Sequence, residues 1–213
     1  MCMFYALLAK REAVEAAFNV RAAGGFFPNA KITASSPAPI ITNSTPDELS
    51  SARFGIEAPW QDERRKFLYN ARSETLSTKP SFRELFKSNR CLIPATAFYE
   101  WKTTPQGKQP FIFSHPKGVF AFAGLWSKTK QSDGLSGLEF AIIATTPNHK
   151  VAQVHDRMPV ILEPSQKMDW LEKGMAEILK PAPDDSLSVA PADKELFMQK
   201  KFAGKQAKLT EED

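Results

Sequence analysis

The chain has 213 residues, 42% of them hydrophobic and 24% charged, the composition of one globular domain. Its 28 Lys and Arg against 24 Asp and Glu give a formal charge of +4, enough to tolerate a polyanion and too little to diagnose one. The longest apolar run, residues 119–126, is too short for a bilayer-spanning helix, and two cysteines argue against a disulfide framework and fit a reducing cytoplasm.

In chain order, residues 1–9 are apolar but have neither a basic flank nor a small-residue cleavage site, so a secretory signal is not expected. A first helix is predicted over residues 7–18, with a charged face at Lys10, Arg11, Glu12 and Glu15. Residues 24–43 are rich in Pro and Gly, with a short strand near Ile40 and Ile41. A second helix follows Ser81, which stands at capping-box spacing from Glu84. The period then changes: residues 91–101, 110–113, 119–126, 139–146 and 159–162 are short apolar runs that read as strands. Pro105-Gln106-Gly107, Pro116-Lys117-Gly118 and Ser132-Asp133-Gly134 supply the turns between them. A last helix is predicted over residues 165–172, stopping at Gly174. Consecutive strands joined by short loops pair antiparallel, so the expected class is α+β with a β-rich, barrel-like antiparallel core and peripheral helices. The domain is expected to span residues 1–197, and residues 198–213 form a polar, disordered tail.

Cys2 is a candidate nucleophile because of its position. If Met1 is removed, the chain begins with a 1,2-aminothiol, whose amine and thiol are both partly nucleophilic near neutral pH. Such a group condenses with an aldehyde through a Schiff base and closes to a stable thiazolidine. The alternative is a small buried residue beside a retained Met1. Cys91 reads as core packing. Glu100, within Phe98-Tyr99-Glu100-Trp101, shares a strand face with Phe98. It is either a desolvated acid/base group or a solubilising charge on a wet face. His155, before the strand at 159–162 and flanked by Asp156 and Arg157, is either a proton shuttle or part of a surface loop with a local ion pair. His115 and His149 look incidental, and the scattered His and Cys show no zinc spacing, so neither a metal nor any other cofactor is expected. Asn70-Ala71-Arg72-Ser73-Glu74-Thr75 follows the basic run Arg64, Arg65 and Lys66 and carries phosphate-holding side chains, and Trp60 offers a base-stacking surface.

In combination these blocks resemble the SRAP family, the abasic-site processing proteins or SOS response-associated peptidases. The likeness rests on Met1-Cys2, on Asn70 to Thr75, and on Arg90-Cys91-Leu92-Ile93-Pro94 leading to Phe98-Tyr99-Glu100-Trp101. It continues in Lys79-Pro80-Ser81-Phe82-Arg83 and from Thr145-Thr146-Pro147-Asn148 to His155-Asp156-Arg157-Met158-Pro159-Val160-Ile161-Leu162. The resemblance implies a cleft for single-stranded DNA and a thiazolidine crosslink between Cys2 and the ring-opened aldehyde of an abasic site. By matching position it implies Cys2 as nucleophile, Asn70 as holder of the amino terminus or an adjoining group, and Glu100 and His155 as proton-handling groups. Arg72 and Arg157 would contact phosphates, with Trp60 as a further DNA-binding residue. Autopeptidase and lyase side activities follow from the same implied chemistry. The implied partner is single-stranded DNA containing abasic sites, with no membrane or metal, for a monomer that is cytoplasmic and nucleoid-associated when bound to DNA.

Met3 and Phe4 depart from the family, which has a Gly-Arg or similar polar pair there, and Phe54-Gly55-Ile56-Glu57-Ala58-Pro59-Trp60 only loosely matches its Trp-Gly-Leu-Ile-Pro block. Two other functions remain open on the residues alone. One is an N-terminal-nucleophile cysteine peptidase or hydrolase with His155 as base. The other is a single-stranded-DNA binding module with an inert Cys2.

Overall fold

The computed structural model describes residues 2–22, 24, 28–58, 67–129 and 137–198. Trp60, the basic run at Arg64, Arg65 and Lys66, the turn Ser132-Asp133-Gly134 and the tail from residue 199 lie outside the described residues.

Runs of β-branched and aromatic residues punctuated by turn residues build the expected α+β architecture with a β core. Five strands close on themselves. Pro37–Thr42 pairs antiparallel with both Glu48–Phe54 and Arg90–Ala95. Arg90–Ala95 pairs with Phe120–Lys128, which pairs in turn with Leu138–Thr145. The ring is shut by a parallel seam in which Glu139 and Phe140 stand opposite Arg53 and Phe54. Closure removes the unpaired edges that an open sheet would present. At the seam the Phe54 and Phe140 rings stack at 5.0 Å, and buried Glu139 pairs with Arg53 while accepting the Glu57 N–H at 2.9 Å. The buried carboxylate is therefore satisfied on both oxygens.

A second sheet runs in the order Ser188–Pro191, Gly107–Ser114, Ala97–Thr104, Phe4–Leu7 and Asn29–Thr33. Strand alternation gives it two apolar faces. Tyr5, Phe98 and Phe113 face the barrel, where Tyr5 meets Phe54 and Phe122 edge-on and Phe98 stacks on Phe113 at 4.8 Å. Phe4, Tyr99 and Trp101 face the other way and pack around Phe197 of the last helix, Glu195–Met198. The departure at Phe4 thus has a packing role.

Several expected elements are corrected. Residues 7–18 are not one helix: Leu7 closes the strand Phe4–Leu7, and the helix runs Arg11–Phe18. Tyr5, Ala6 and Leu7 are fully buried between two neighbouring strands, an environment that overrides a 3.6-residue pattern. Residues 91–101 are two strands in different sheets, broken at Thr96, whose N–H donates to Ala6 O at 2.8 Å. The capping box at Ser81 and Glu84 does not form. Buried Phe82 caps the helix Arg83–Ser88 without a side-chain bond, while Glu84 pairs with Arg83 and Lys87. A capping box instead joins Glu163 and Gln166 before the helix Lys167–Leu171.

Gly124 sits where the barrel strands approach most closely. A Cβ there would stand 2.2 Å from Ile93 Cδ1, 2.9 Å from Ala141 O and 3.0 Å from Cys91 Sγ. Gly124→Ala is therefore expected to destabilise the fold by about 1–3 kcal/mol through overpacking. Urea unfolding checks this, and an unchanged midpoint would mean that the strands flanking Gly124 can relax.

Candidate active site around the amino terminus

Antiparallel pairing sets the site. Phe4 stands opposite Tyr99 and Tyr5 opposite Phe98, so one further step of the register brings Met3 opposite Glu100, with Cys2 next in the chain. Cys2 is 1% exposed, and its Sγ lies 3.7 Å from Phe4 O. The Asn70 amide, from the strand Asn70–Arg72, donates to Cys2 O at 3.1 Å. That strand is held in parallel pairing with Ile142, Ile143 and Ala144, which fixes the height at which Asn70 meets the chain start. Asn70 therefore holds a group adjoining the terminus.

Glu100 is 3% exposed, on the face of Phe98, so the wet-face alternative is overturned. Its Oε2 lies 3.7 Å from His155 Nε2. Burial foremost pushes the Glu100 carboxyl up from its ordinary 4.5 to about 7, with the charge of the chain's amino terminus acting the other way and Asp156 adding to the rise. Burial also lowers His155, assisted by the same amino-terminal charge. Burial pushes the Cys2 thiol well up, and the charge of Glu100 pushes in the same direction. Near neutral pH the site therefore holds a carboxyl close to half-protonation, an imidazole biased to neutral and a protonated thiol. Such a set can both give and take protons.

His155 sits between the helix His149–Ala152 and the strand Met158–Pro159. Asn148 caps that helix by accepting the Val151 N–H at 3.0 Å, and the His155 N–H returns to Val151 O at 2.8 Å. His155 Nδ1 lies 3.0 Å from the Arg157 N–H and 3.1 Å from Asp156 Oδ1. The Arg157 guanidinium pairs with Glu74, whose carboxyl is lowered despite a desolvation penalty by hydrogen bonds from its own backbone N–H and from Arg157. Arg72 is exposed beside an open cleft of about 530 Å³ lined by Asn70, Arg72, Thr75, Thr78, Lys79 and Phe82.

The structure thus brings Cys2, Asn70, Glu100 and His155 together, sets Arg72 in the adjoining cleft, and engages Arg157 with Glu74. It says nothing of Trp60. His149 pairs with Asp184, and His115 with Glu163 at 2.9 Å. Sequence reasoning missed Tyr5, whose buried hydroxyl has no hydrogen-bond partner among the described residues. Burial raises its pKa, with Cys2 and Cys91 contributing. It also gave no role to Glu74 or to Thr78, although both stand near the Asn70 block. Among the described residues, no cluster of three or more His, Cys, Asp or Glu could hold a metal ion, and no helix is long and apolar enough to cross a membrane.

A raised carboxyl pKa links to stability with a definite sign. The contribution of Glu100 is fully present below about pH 4.5 and is lost as pH rises through about 7, where the buried carboxylate must ionise. Glu100→Gln is expected to gain on the wild type as pH rises, reaching about 3 kcal/mol above neutrality. Denaturant unfolding across this range checks it, and a gap independent of pH would show that Glu100 titrates normally.

Comparison with known proteins places this geometry. "Abasic site processing protein YoqW" of Bacillus subtilis is 43% identical over 136 residues, covering 62% of this chain and 61% of that protein. "Abasic site processing protein YedK" of Escherichia coli is 28% identical over 125 residues, covering 59% and 55% respectively. The chain thus spans about three fifths of the length of these curated relatives. A crystal structure of a protein from Bacteroides thetaiotaomicron superposes with a TM-score of 0.83 at 25% identity, covering 93% of this chain and 95% of that one. The family described as SOS response associated peptidase (SRAP) matches residues 1–198, and the chain belongs to that family.

Proposed function

We propose that the protein processes abasic sites in single-stranded DNA by forming a covalent thiazolidine between Cys2 and the ring-opened sugar aldehyde. The observation that carries this reading is the buried cluster itself. Buried Cys2 feels the charge of a carboxyl poised near pH 7, with Asn70 donating to the Cys2 carbonyl and His155 3.7 Å from Glu100. The named relatives support the substrate class.

The protonation states order the steps. Removal of Met1 frees the α-amine. An abasic sugar is mainly a closed hemiacetal, and protonated Glu100 can donate to the ring oxygen as it opens. The Cys2 amine adds to the aldehyde carbon to give a carbinolamine, which gains a proton on its hydroxyl and loses water to form an imine. The thiol is held protonated, so it acts second. Its sulfur adds to the imine carbon while its proton passes through the Glu100–His155 pair to the ring nitrogen. One water leaves overall and nothing is oxidised. β-Elimination from the imine would cleave the strand, which makes lyase activity a side branch.

Arg72, Thr75 and Lys79 line the cleft beside Asn70 and fit contacts to the flanking phosphates. Trp60 is proposed as a stacking group, and a monomer suffices for this chemistry.

Denaturing electrophoresis of Met1-free protein with an oligonucleotide bearing one abasic site tests the reading. A heat-stable band absent with an intact strand is expected. Cys2→Ala should abolish it, and Cys2→Ser should not restore it, since an oxazolidine is far less stable. Glu100→Gln and His155→Ala should each slow its formation by about 100-fold or more. A full-rate adduct in both would refute their roles, and no band with trimmed wild type would refute the function.

A further inference from the structure

We propose that Glu74 is a positioning residue: by holding the Arg157 guanidinium it fixes the Arg157 backbone beside His155, and so selects which imidazole nitrogen carries the proton that faces Glu100. The inference rests on the proposed roles of Glu100 and His155 for its catalytic consequence, but its structural core does not.

His155 Nδ1 has two competing surroundings. It can accept the Arg157 N–H at 3.0 Å, which leaves the proton on Nε2, the nitrogen 3.7 Å from Glu100 Oε2. Alternatively it can carry the proton itself and donate to Asp156 Oδ1 at 3.1 Å or Arg157 O at 3.2 Å. Asp156 is largely exposed, and its attraction for a proton on Nδ1 is moderated by water. Which arrangement prevails depends on where the Arg157 backbone sits.

That backbone lies between regular elements, tied locally by the His155 N–H to Val151 O at 2.8 Å. Residues 153–157 form an irregular connection between the short helix His149–Ala152 and the two-residue strand Met158–Pro159. Glu74 comes from an element 83 residues away, the turn Ser73–Thr75 directly after the strand that carries Asn70. Its carboxylate binds Arg157 Nη1, so the Asn70 block and the His155 loop are tied by a charge-assisted bond. The Arg157 side chain is 21% exposed and that of Glu74 43%, so the bond is partly solvated and acts by fixing geometry more than by strength. The chain Glu74–Arg157–His155–Glu100 thus reaches from the turn after the Asn70 strand to the buried carboxyl.

Imidazole nitrogen chemical shifts measured by NMR on the DNA-free protein test this, with His155 identified by its loss in His155→Ala. In the wild type His155 should show a bare Nδ1 and a protonated Nε2. Glu74→Ala should shift it toward a tautomer mixture and slow crosslinking by about tenfold or more with the fold intact. Glu74→Gln, whose amide oxygen still accepts from Arg157, should keep the wild-type tautomer and most of the rate. A wild-type His155 signature in folded Glu74→Ala would overturn the proposal. If Glu74→Ala does not fold, a mixed tautomer in the wild type or in Glu74→Gln overturns it instead. The NMR readout needs no DNA, so failure of the crosslinking function would leave this result standing and distinguishable.

Discussion

The insertion of Phe4–Leu7 between Ala97–Thr104 and Asn29–Thr33 is the constraint on which the remaining geometry depends. An amino terminus is ordinarily a frayed, solvated end. Here the chain start is a central strand, with Tyr5, Ala6 and Leu7 buried and the corner at Thr96 bonded to Ala6 O. The register that sets Tyr5 opposite Phe98 also brings the chain start within reach of the Glu100 charge. Barrel closure through Arg53 and Glu139 keeps the facing wall in place, because Phe54 both stacks at the seam and meets Tyr5.

Burial then does the chemical tuning. The same loss of water that holds the thiol protonated raises the Glu100 carboxyl to about 7 and lowers His155. These shifts share one cause: burial lifts the carboxyl toward neutrality, biases the imidazole to its neutral form and keeps the thiol protonated. Buried groups of this kind carry a stability cost that a purely structural core would avoid. The adjoining cleft is open and carries the cationic side chains of Arg72 and Lys79.

Much of this was legible in the sequence where short-range rules dominate. The strand runs and the turns at Gly107 and Gly118, both with positive φ, follow from local chemistry. Alternation placed Glu100 on the face of Phe98, but it could not say whether that face was wet, because that depends on a barrel wall contributed by other strands. The first helix was overextended into residue 7 because periodicity cannot register the two strands flanking Leu7. Ser81 and Glu84 have capping spacing, yet the buried Phe82 ring sets that helix entry. Glu74 lies within the Asn70–Thr75 block, but its partner is 83 residues distant, and no local pattern announces such a pair. The blocks at Asn70, Glu100 and His155 pointed to one site through their resemblance to a family. The bonds joining them required the fold.

The most direct test of the central claim is the intact mass of the adduct, followed by fragmentation of its amino-terminal peptide. The account predicts a mass equal to protein lacking Met1 plus the abasic strand minus one water, with the strand on Cys2 and neither its amine nor its thiol free. An adduct on a lysine, or one that leaves the Cys2 thiol open to alkylation, would contradict it.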